Sequence, residues 1–185
     1  MLSGWLSKLE PVRIARSDEE REAVFRFRYE VYCDEFGREL GTPDHARRRL
    51  HDPEDDDPCA QLLYTGSPSE VTGTLRLRHW QPGEVPDAVR RELSMDLFPE
   101  LGRWCVGEAA RLMVRRVSRG QLILASLARA AYETLSGDHG VHLTFCYCSP
   151  GLVHPYRKLG YRPFGGSLVR TPDGVMIPLV NVHSD

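Results

Sequence analysis

A glutamate and an arginine lie three residues apart in an otherwise apolar stretch of the chain. Glu108 and Arg111 fall within residues 104–114, whose other side chains predict a buried strand. An unpaired charge is so costly to bury that these two residues are either paired or placed there for chemistry. A carboxylate can take a proton from an amine, and a guanidinium can bind a carboxylate through two hydrogen bonds. The alternative is a structural ion pair, which on a strand requires a bulge because residues three apart point to opposite faces.

A third charge, that of Arg28, lies in phase with the apolar residues of a predicted helix. Val24 and Val31 flank it at helical spacing. Its guanidinium therefore either reaches the surface along the apolar stem of the side chain or is buried beside an acid.

A long loop at 37–58 has neither a helical nor a strand period, and it carries the acidic run Asp-Pro-Glu-Asp-Asp-Asp at 52–57. We expect Arg28 to pair with Glu54 or Asp57 and so to fasten this loop over a substrate site. The run could instead be a solvated loop. A Mg²⁺ or Ca²⁺ site is disfavoured because the acids lack regular ligand spacing, and no metal is predicted.

Nine elements can be predicted around these residues. Ser17 and Glu20 form a capping-box pattern that begins a helix ending at Gly37, and alternating apolar residues predict the strands. The order is helix, three strands, helix, strand, helix and two strands, which is typical of an α/β (α+β) domain with a mixed sheet. The predicted strands span 60–65, 71–78, 104–114, 141–147, 161–170 and 175–182, and the later helices span 121–136 and 152–159.

The composition favours one globular domain over residues 1–185. A hydrophobic content of 41% suffices for a core, and a formal net charge of −2 argues against a nucleic-acid partner bound through a basic surface. No apolar run approaches the roughly 20 residues of a transmembrane helix, and no secretory signal pattern is visible. Five cysteines, an odd number, then indicate reduced thiols and a cytoplasmic protein.

The chain resembles the GNAT superfamily of N-acyltransferases over essentially its whole length. The strand, loop and helix at 104–136 carry this likeness, together with Tyr-Arg-Lys-Leu-Gly-Tyr at 156–161. A narrower resemblance is to acyl-homoserine-lactone synthases and N-acyl amino acid synthases, whose motifs are Arg-x-x-Val-Phe, an acidic loop, Gly-x-x-Arg and Glu-x-x-Arg-x-x-Val. In this chain they stand as Arg-Tyr-Glu-Val-Tyr at 28–32, the acids before Ala60, Gly-Thr-Leu-Arg at 73–76 and Glu-Ala-Ala-Arg-Leu-Met-Val at 108–114.

These resemblances imply a GNAT-like mixed central sheet flanked by helices and splayed between two central strands. For N-acylation at such a site, Glu108 is the candidate base and Tyr156 the candidate donor of a proton to the thioester sulfur. The structural alternative for Tyr156 is a ring packed beside Leu159. The residues expected to bind the substrate are Arg28, Glu54, Asp57, Arg76 and Arg111.

The implied acyl donor is an acyl carrier protein thioester rather than a coenzyme A thioester. Coenzyme A-dependent GNAT enzymes usually carry Arg/Gln-x-x-Gly-x-Gly/Ala, whose backbone amides bind pyrophosphate. Here Arg-Val-Ser-Arg-Gly-Gln-Leu at 116–122 holds a single glycine, Gly120. The expected carrier-protein contacts are Arg115, Arg116 and Arg119.

The implied acceptor is the amine of an amino acid or a similar small molecule, with no permanently bound cofactor. Homoserine-lactone synthases tend to have a tryptophan shortly after the first helix, and none occurs here between Trp5 and Trp80. This departure disfavours S-adenosylmethionine as the acceptor.

Two other functions stay open at this point. One is a coenzyme A-dependent acetyltransferase acting on a small amine, and the other is a catalytically silent GNAT-like interaction domain. The retention of Glu108, Arg111 and Tyr156 argues against a silent domain. A fatty acyl chain would need a tunnel between the splayed strands, although the same apolar residues could equally be plain core. The candidate tunnel residues are Leu124, Leu127, Leu143, Phe145 and Tyr147.

Overall fold

A computed structural model describes residues 9–38, 43–119, 122–165, 168–171 and 174–183. This part of the chain contains eight strands, four α-helices and several short 3₁₀ and π segments. The strands are β1 (Val12–Ile14), β2 (Gln61–Ser67), β3 (Glu70–Trp80), β4 (Val106–Val114), β5 (Leu143–Cys148), β6 (Arg162–Pro163), β7 (Val169–Thr171) and β8 (Gly174–Val182). The helices are α1 (Asp18–Tyr29), α2 (Asp87–Glu92), α3 (Ile123–Tyr132) and α4 (Val153–Lys158), with π segments at Glu30–Glu35 and Glu133–Asp138 and 3₁₀ turns at Pro53–Asp56, Met95–Leu97, Leu101–Arg103, Arg116–Ser118 and Pro150–Leu152.

The strands of the described residues belong to one mixed sheet, in the order β1-β2-β3-β4-β5-β8-β6, with β7 also paired to β8. Strand β4 runs parallel to β5, whereas β1 is antiparallel to β2, and β8 is antiparallel to β5, β6 and β7. The predicted mixed sheet flanked by helices is confirmed. The chain divides into two compact units, residues 1–76 with 111–131 and residues 77–110 with 132–185. The single domain predicted from composition stays a prediction.

In the first unit, helix α1 begins at the predicted capping box. The Ser17 hydroxyl accepts a hydrogen bond from the Glu20 amide, and the Glu20 carboxylate accepts one from the Ser17 amide. The helix continues through its π segment to Gly37, whose φ of +60° suits glycine and ends the helix where the sequence predicted. Phe27 and Val31 lie on its buried face, in the same core cluster as residues of β2.

Helix α3 of the same unit packs closely on the backbone of β3 at Gly73. A Cβ added there would lie 2.7 Å from Cγ2 of Ile123 and 3.1 Å from both Cδ1 of Leu127 and Oγ1 of Thr65. We expect Gly73→Ala to lower the free energy of unfolding by about 1–3 kcal/mol, because the extra methyl group overpacks this contact. Urea denaturation measures the change, with Gly102→Ala as control because a Cβ at Gly102 meets no atom within 4 Å. An unchanged unfolding midpoint in Gly73→Ala would contradict the close packing.

In the second unit, the pairing of the two parallel strands stops partway. Strand β5 pairs with β8 along its whole length, but with β4 at only three positions, the last of which joins Glu108 to Phe145. Strand β4 continues to Val114. The ladder between these strands therefore ends at Glu108, as the predicted splay requires.

Two details differ from the sequence-based prediction. The strand predicted at 161–170 is divided into β6 and β7, and Gly165, with a φ of +77°, lies between them. Strand β1 has three residues, too few to give a period in the sequence. Pro172 and Asp173, between the strands predicted at 161–170 and 175–182, lie outside the described residues. None of the helices in the described ranges has the length and apolarity that crossing a membrane requires.

Candidate functional site

Glu108 is a buried carboxylate at the last paired position of β4. Its residue is 5% exposed, and its Oε2 accepts a 2.5 Å hydrogen bond from Nε of Arg78 on β3, which is 4% exposed. The Arg78 guanidinium also lies 5.1 Å from the ring centre of Trp80. The sequence analysis did not select Arg78, although strand alternation at 71–78 places it on the same face as Arg76.

Arg111 lies further along β4, in the first unit, and has an unusual backbone conformation. Its φ of +56° is in the left-handed region, which interrupts the regular alternation of the strand as the predicted bulge would. Its Nε and Nη2 donate to Oδ2 and Oδ1 of Asp52 at 2.6 and 2.9 Å, and its guanidinium lies 5.7 Å from the ring centre of Tyr32. The two-pronged binding expected of Arg111 is thus directed to the chain's own Asp52.

Arg28 is fully buried and pairs with an acid that the sequence analysis did not choose. Its Nη1 donates to Oδ2 of Asp55 at 2.6 Å and lies 3.8 Å from Asp52. The expectation that Glu54 or Asp57 is its partner is wrong. The 3₁₀ turn Pro53–Asp56 explains the difference, because its capping box brings Oδ2 of Asp55 back to the Asp52 amide at 2.8 Å and so turns Asp55 inward.

Burial and ion pairing shift the pKa values of Arg28 and Asp55 in opposite directions. Burial lowers the pKa of the Arg28 guanidinium, although Asp55 and Asp52 act to raise it. Burial also acts to raise the pKa of Asp55, but the charge and hydrogen bond of Arg28 bring it below the usual value for aspartate. Nε and Nη2 of Arg28 have no hydrogen-bond partner among the described residues. The pair therefore depends on Asp55 remaining ionised.

Arg76 of β3 completes a buried group that we call the loop cluster, defined by Arg28, Asp52, Asp55, Arg76 and Arg111. Nη1 of Arg76 lies 3.4 Å from both aspartates and 3.5 Å from the half-exposed Glu54. Asp57 instead accepts a hydrogen bond from the Cys59 amide at 3.2 Å. Within the first unit, the loop cluster thus holds three of the five predicted substrate-binding residues, contacts a fourth, Glu54, through Arg76, and ties the acidic loop to α1, β3 and β4.

Tyr156 on helix α4 is partly buried in the second unit. It packs on the core cluster of Cys146, Cys148 and Leu179, as does Ala109, the residue after Glu108. Its ring also meets the ring of Tyr161 edge-on at 5.6 Å. Tyr156 and the end of the paired part of β4 therefore share one small cluster.

Burial in this cluster raises the pKa of two side chains. It raises the pKa of the Cys146 thiol, with smaller effects from Cys148 and Glu108, and it raises the pKa of Tyr161, with smaller effects from Cys146 and Tyr156. A thiol and a phenol perturbed in this way stay protonated near neutral pH, so neither Cys146 nor Tyr161 is a ready nucleophile.

Of the three arginines predicted to contact a carrier protein, two form ion pairs with acidic residues of the chain. Arg115 binds Glu30 at 2.8 Å, and Arg119 binds Glu35 at 2.7 Å, so both charges are used within the first unit. The exposed side chain of Arg116 makes no ion pair with any described residue, although its amide donates to Glu35. Gly120, on which the donor prediction depended, lies outside the described residues.

Among the candidate tunnel residues, Phe145 is fully buried. It meets Phe98 and Phe164 edge-on at 5.2 and 5.6 Å, so in the second unit it belongs to an aromatic core. The acyl tunnel stays a prediction. Across the ranges that the structure covers, no group of three or more His, Cys, Asp and Glu side chains is placed to hold a metal ion.

Solved structures show which fold this is. FeeM, an N-acyl amino acid synthase from uncultured soil microbes, superposes with a TM-score of 0.66 at 14% identity, covering 94% of this chain and 90% of its own. BjaI, a coenzyme A-dependent acyl-homoserine lactone synthase, has a TM-score of 0.66 at 18% identity, covering 93% of this chain and 82% of its own. A putative N-acetyltransferase from Lactobacillus plantarum has a TM-score of 0.64 at 20% identity, covering 94% of this chain and 98% of its own. The chain thus has the fold of the GNAT-like acyltransferases.

The family follows from the sequence itself. Residues 23–185 match the family described as N-acyl amino acid synthase FeeM, and the chain belongs to this family. No protein of curated function matches the sequence. The predicted family resemblance and the prediction of an acyltransferase are confirmed, and the chain is an N-acyltransferase.

Proposed function

We propose that this N-acyltransferase moves a fatty acyl group from an acyl carrier protein thioester to the amine of an amino acid or a similar small molecule. The observation that carries the proposal is the buried Glu108 at the point where β4 and β5 stop pairing, with Tyr156 packed on the cluster next to it. A carboxylate and a phenol are the two groups that aminolysis of a thioester needs. Family membership supports an amino acid as the acceptor.

In the proposed reaction, the neutral amine attacks the thioester carbonyl carbon to form the new C–N bond. Glu108 takes the proton that the nitrogen loses, directly or through a water molecule. The C–S bond then breaks, and Tyr156 gives its proton to the departing sulfur. A backbone amide of β4, freed where pairing with β5 ends, is suited to hold the developing oxyanion.

For the acceptor, we assign the positions around the loop cluster. Arg111 has the most exposed side chain of its three arginines, at 15% against 0% for Arg28 and 5% for Arg76. We assign it to the acceptor carboxylate, which would share the Arg111 guanidinium with Asp52, while Arg28 and Arg76 hold the acidic loop in place. Glu54, 38% exposed, is suited to attract the amine, and Asp57 shapes the end of the loop.

For the donor, an acyl carrier protein is supported by the single glycine at 116–122 and by the turn that precedes it. Arg116 is exposed and its neighbour Val117 is 82% exposed, so this turn presents a positive charge beside an apolar side chain. That combination suits the acidic surface of a carrier protein. Five free cysteines fit a reducing compartment, so the proposal places the protein in the cytoplasm.

Coenzyme A thioesters are the second candidate donor. BjaI and MesI, both structurally similar to this chain, are coenzyme A-dependent acyl-homoserine lactone synthases, and BjaI was solved with isopentyl-CoA. A donor comparison separates the two candidates.

With one acyl chain presented on both carriers, we expect kcat/KM to be at least about tenfold higher for the acyl carrier protein thioester. Arg116→Glu should raise KM for the carrier-protein thioester and leave KM for the coenzyme A thioester unchanged, because a charge at an interface rim acts on association. Arg103→Glu, at an arginine 76% exposed in the second unit, is the matched control. Equal or better turnover of the coenzyme A thioester would reverse the assignment of the donor.

A further inference from the structure

We propose that Arg78 is a positioning residue that acts through Glu108: it fixes one oxygen of the carboxylate, and its own guanidinium lies against the ring of Trp80. The inference rests on the role of Glu108 as base in the proposed function. It adds a residue that lies outside the family motifs described above, since Gly-Thr-Leu-Arg ends at Arg76.

The first support is the geometry of the pair. Nε of Arg78 lies 2.5 Å from Oε2 of Glu108, and both side chains are almost completely buried. A charge-assisted hydrogen bond is stronger than a neutral one and restricts the carboxylate to a narrow range of orientations. A carboxylate has about four lone-pair sites, and the bond from Arg78 Nε occupies one of them.

The second support is the way the guanidinium is held. Its centre lies 5.1 Å from the ring centre of Trp80, a residue only 7% exposed. A planar guanidinium can stack on an aromatic ring and still direct its Nε–H outward along its edge, whereas an ammonium has no such plane. Trp80 therefore provides an aromatic surface against the Arg78 guanidinium, whose Nε donates to Glu108.

The consequence for the reaction follows from orientation. A general base must lie within hydrogen-bond reach of the proton that it removes. Because Arg78 fixes the Glu108 carboxylate beforehand, the reaction is spared the cost of orienting it in the transition state.

The competing explanation is a purely structural ion pair that joins β3 to β4. Such a pair would matter for stability, since removing one partner of a buried pair is destabilising. It would leave the kcat and KM of the folded enzyme unchanged. The two explanations therefore differ in kinetics rather than in stability.

The test is a double-mutant cycle of Arg78→Gln and Glu108→Gln, with Arg78→Lys added and Arg103→Gln as the matched control. We expect Arg78→Gln to lower kcat roughly 10- to 100-fold, the effect of losing one charge-assisted hydrogen bond, with KM for the donor unchanged. Added to Glu108→Gln, it should cause no further loss, because Arg78 acts through Glu108.

Arg78→Lys keeps the charge, so it keeps the proposal testable if Arg78→Gln does not fold. We expect kcat to fall in this variant as well, because an ammonium cannot reproduce the directional Nε–H contact with Glu108. An Arg78→Gln or Arg78→Lys enzyme with wild-type kcat and a merely lower melting temperature would overturn the proposal, as would additive losses in the double mutant. A Glu108→Gln enzyme with wild-type rate would instead overturn the base assignment of the proposed function, and the inference with it.

Discussion

Glu108→Gln is expected to lower kcat by roughly 10²–10⁴, the usual range for loss of a general base. The amide keeps the shape of the side chain and can still accept the hydrogen bond from Arg78, so the protein should fold. Some loss of thermal stability should accompany the change, because the buried Arg78 keeps its charge. Single-turnover kinetics below the melting transition, normalised to folded protein, measure the effect on chemistry alone.

The matched control for this variant is Glu100→Gln. Glu100 belongs to the same unit, but its side chain is 64% exposed and its contact with Arg103 is 3.5 Å long, so neither rate nor stability should change appreciably. A folded Glu108→Gln protein with a near-normal single-turnover rate would remove Glu108 from the mechanism and leave it only its ion pair with Arg78.

Asp55→Asn is expected to lower the free energy of unfolding by about 3–5 kcal/mol, the cost of breaking a buried ion pair. Arg28 is fully buried, and its shortest contact with an acid is the 2.6 Å one to Asp55. An amide can still accept one hydrogen bond, but it cannot balance the guanidinium charge. Chemical denaturation followed by circular dichroism measures the change, and loosening of the acidic loop should appear as faster proteolysis within 43–58.

The control here is the next residue, Asp56. Its side chain is 62% exposed and it pairs with Arg21 and His51, so Asp56→Asn should change stability by no more than about 1 kcal/mol. If Asp55→Asn were as stable as Asp56→Asn, the loop cluster would not be holding the fold.

The contribution of Asp55 also has a definite pH dependence. Because its pKa is lower in the folded protein than in the unfolded chain, its stabilising effect is fully present above the unfolded value, about 3.9, and is lost as the pH falls through the folded pKa. The stability difference between wild type and Asp55→Asn should therefore shrink below about pH 4.

Much of the fold could be predicted from local signals. The capping box at Ser17 and Glu20, the glycine that ends the first helix and the alternating apolar residues of β2, β3 and β5 act within a few residues, so the sequence displays them directly. The division of 161–170 into β6 and β7 could not be predicted in this way. Each of these strands is held by its pairing with β8, which is a contact between distant parts of the chain.

The site was predictable in its residue types but not in its pairs. Strand and helix periods placed Glu108, Arg111 and Arg28 at unusual positions, and all three are indeed engaged in buried or partly buried ion pairs. Their partners depend on backbone turns. A 3₁₀ turn decides that Asp55 rather than Glu54 faces Arg28, and the capping pattern Asp-x-x-Asp at 52–55 was the signal that could have shown it. Arg78 was hidden because it looked like one more polar residue on an alternating strand.

The most direct test of the central claim is a reconstitution with defined donors. Purified protein is incubated with one fatty acyl chain on acyl carrier protein or on coenzyme A, together with the common amino acids, and products are identified by mass spectrometry while free thiol is measured. The account predicts an N-acyl amino acid formed in equal amount to the released thiol, faster from the carrier protein, and greatly reduced in Glu108→Gln. Thiol release by the wild-type protein without any N-acylated product from either donor would contradict it.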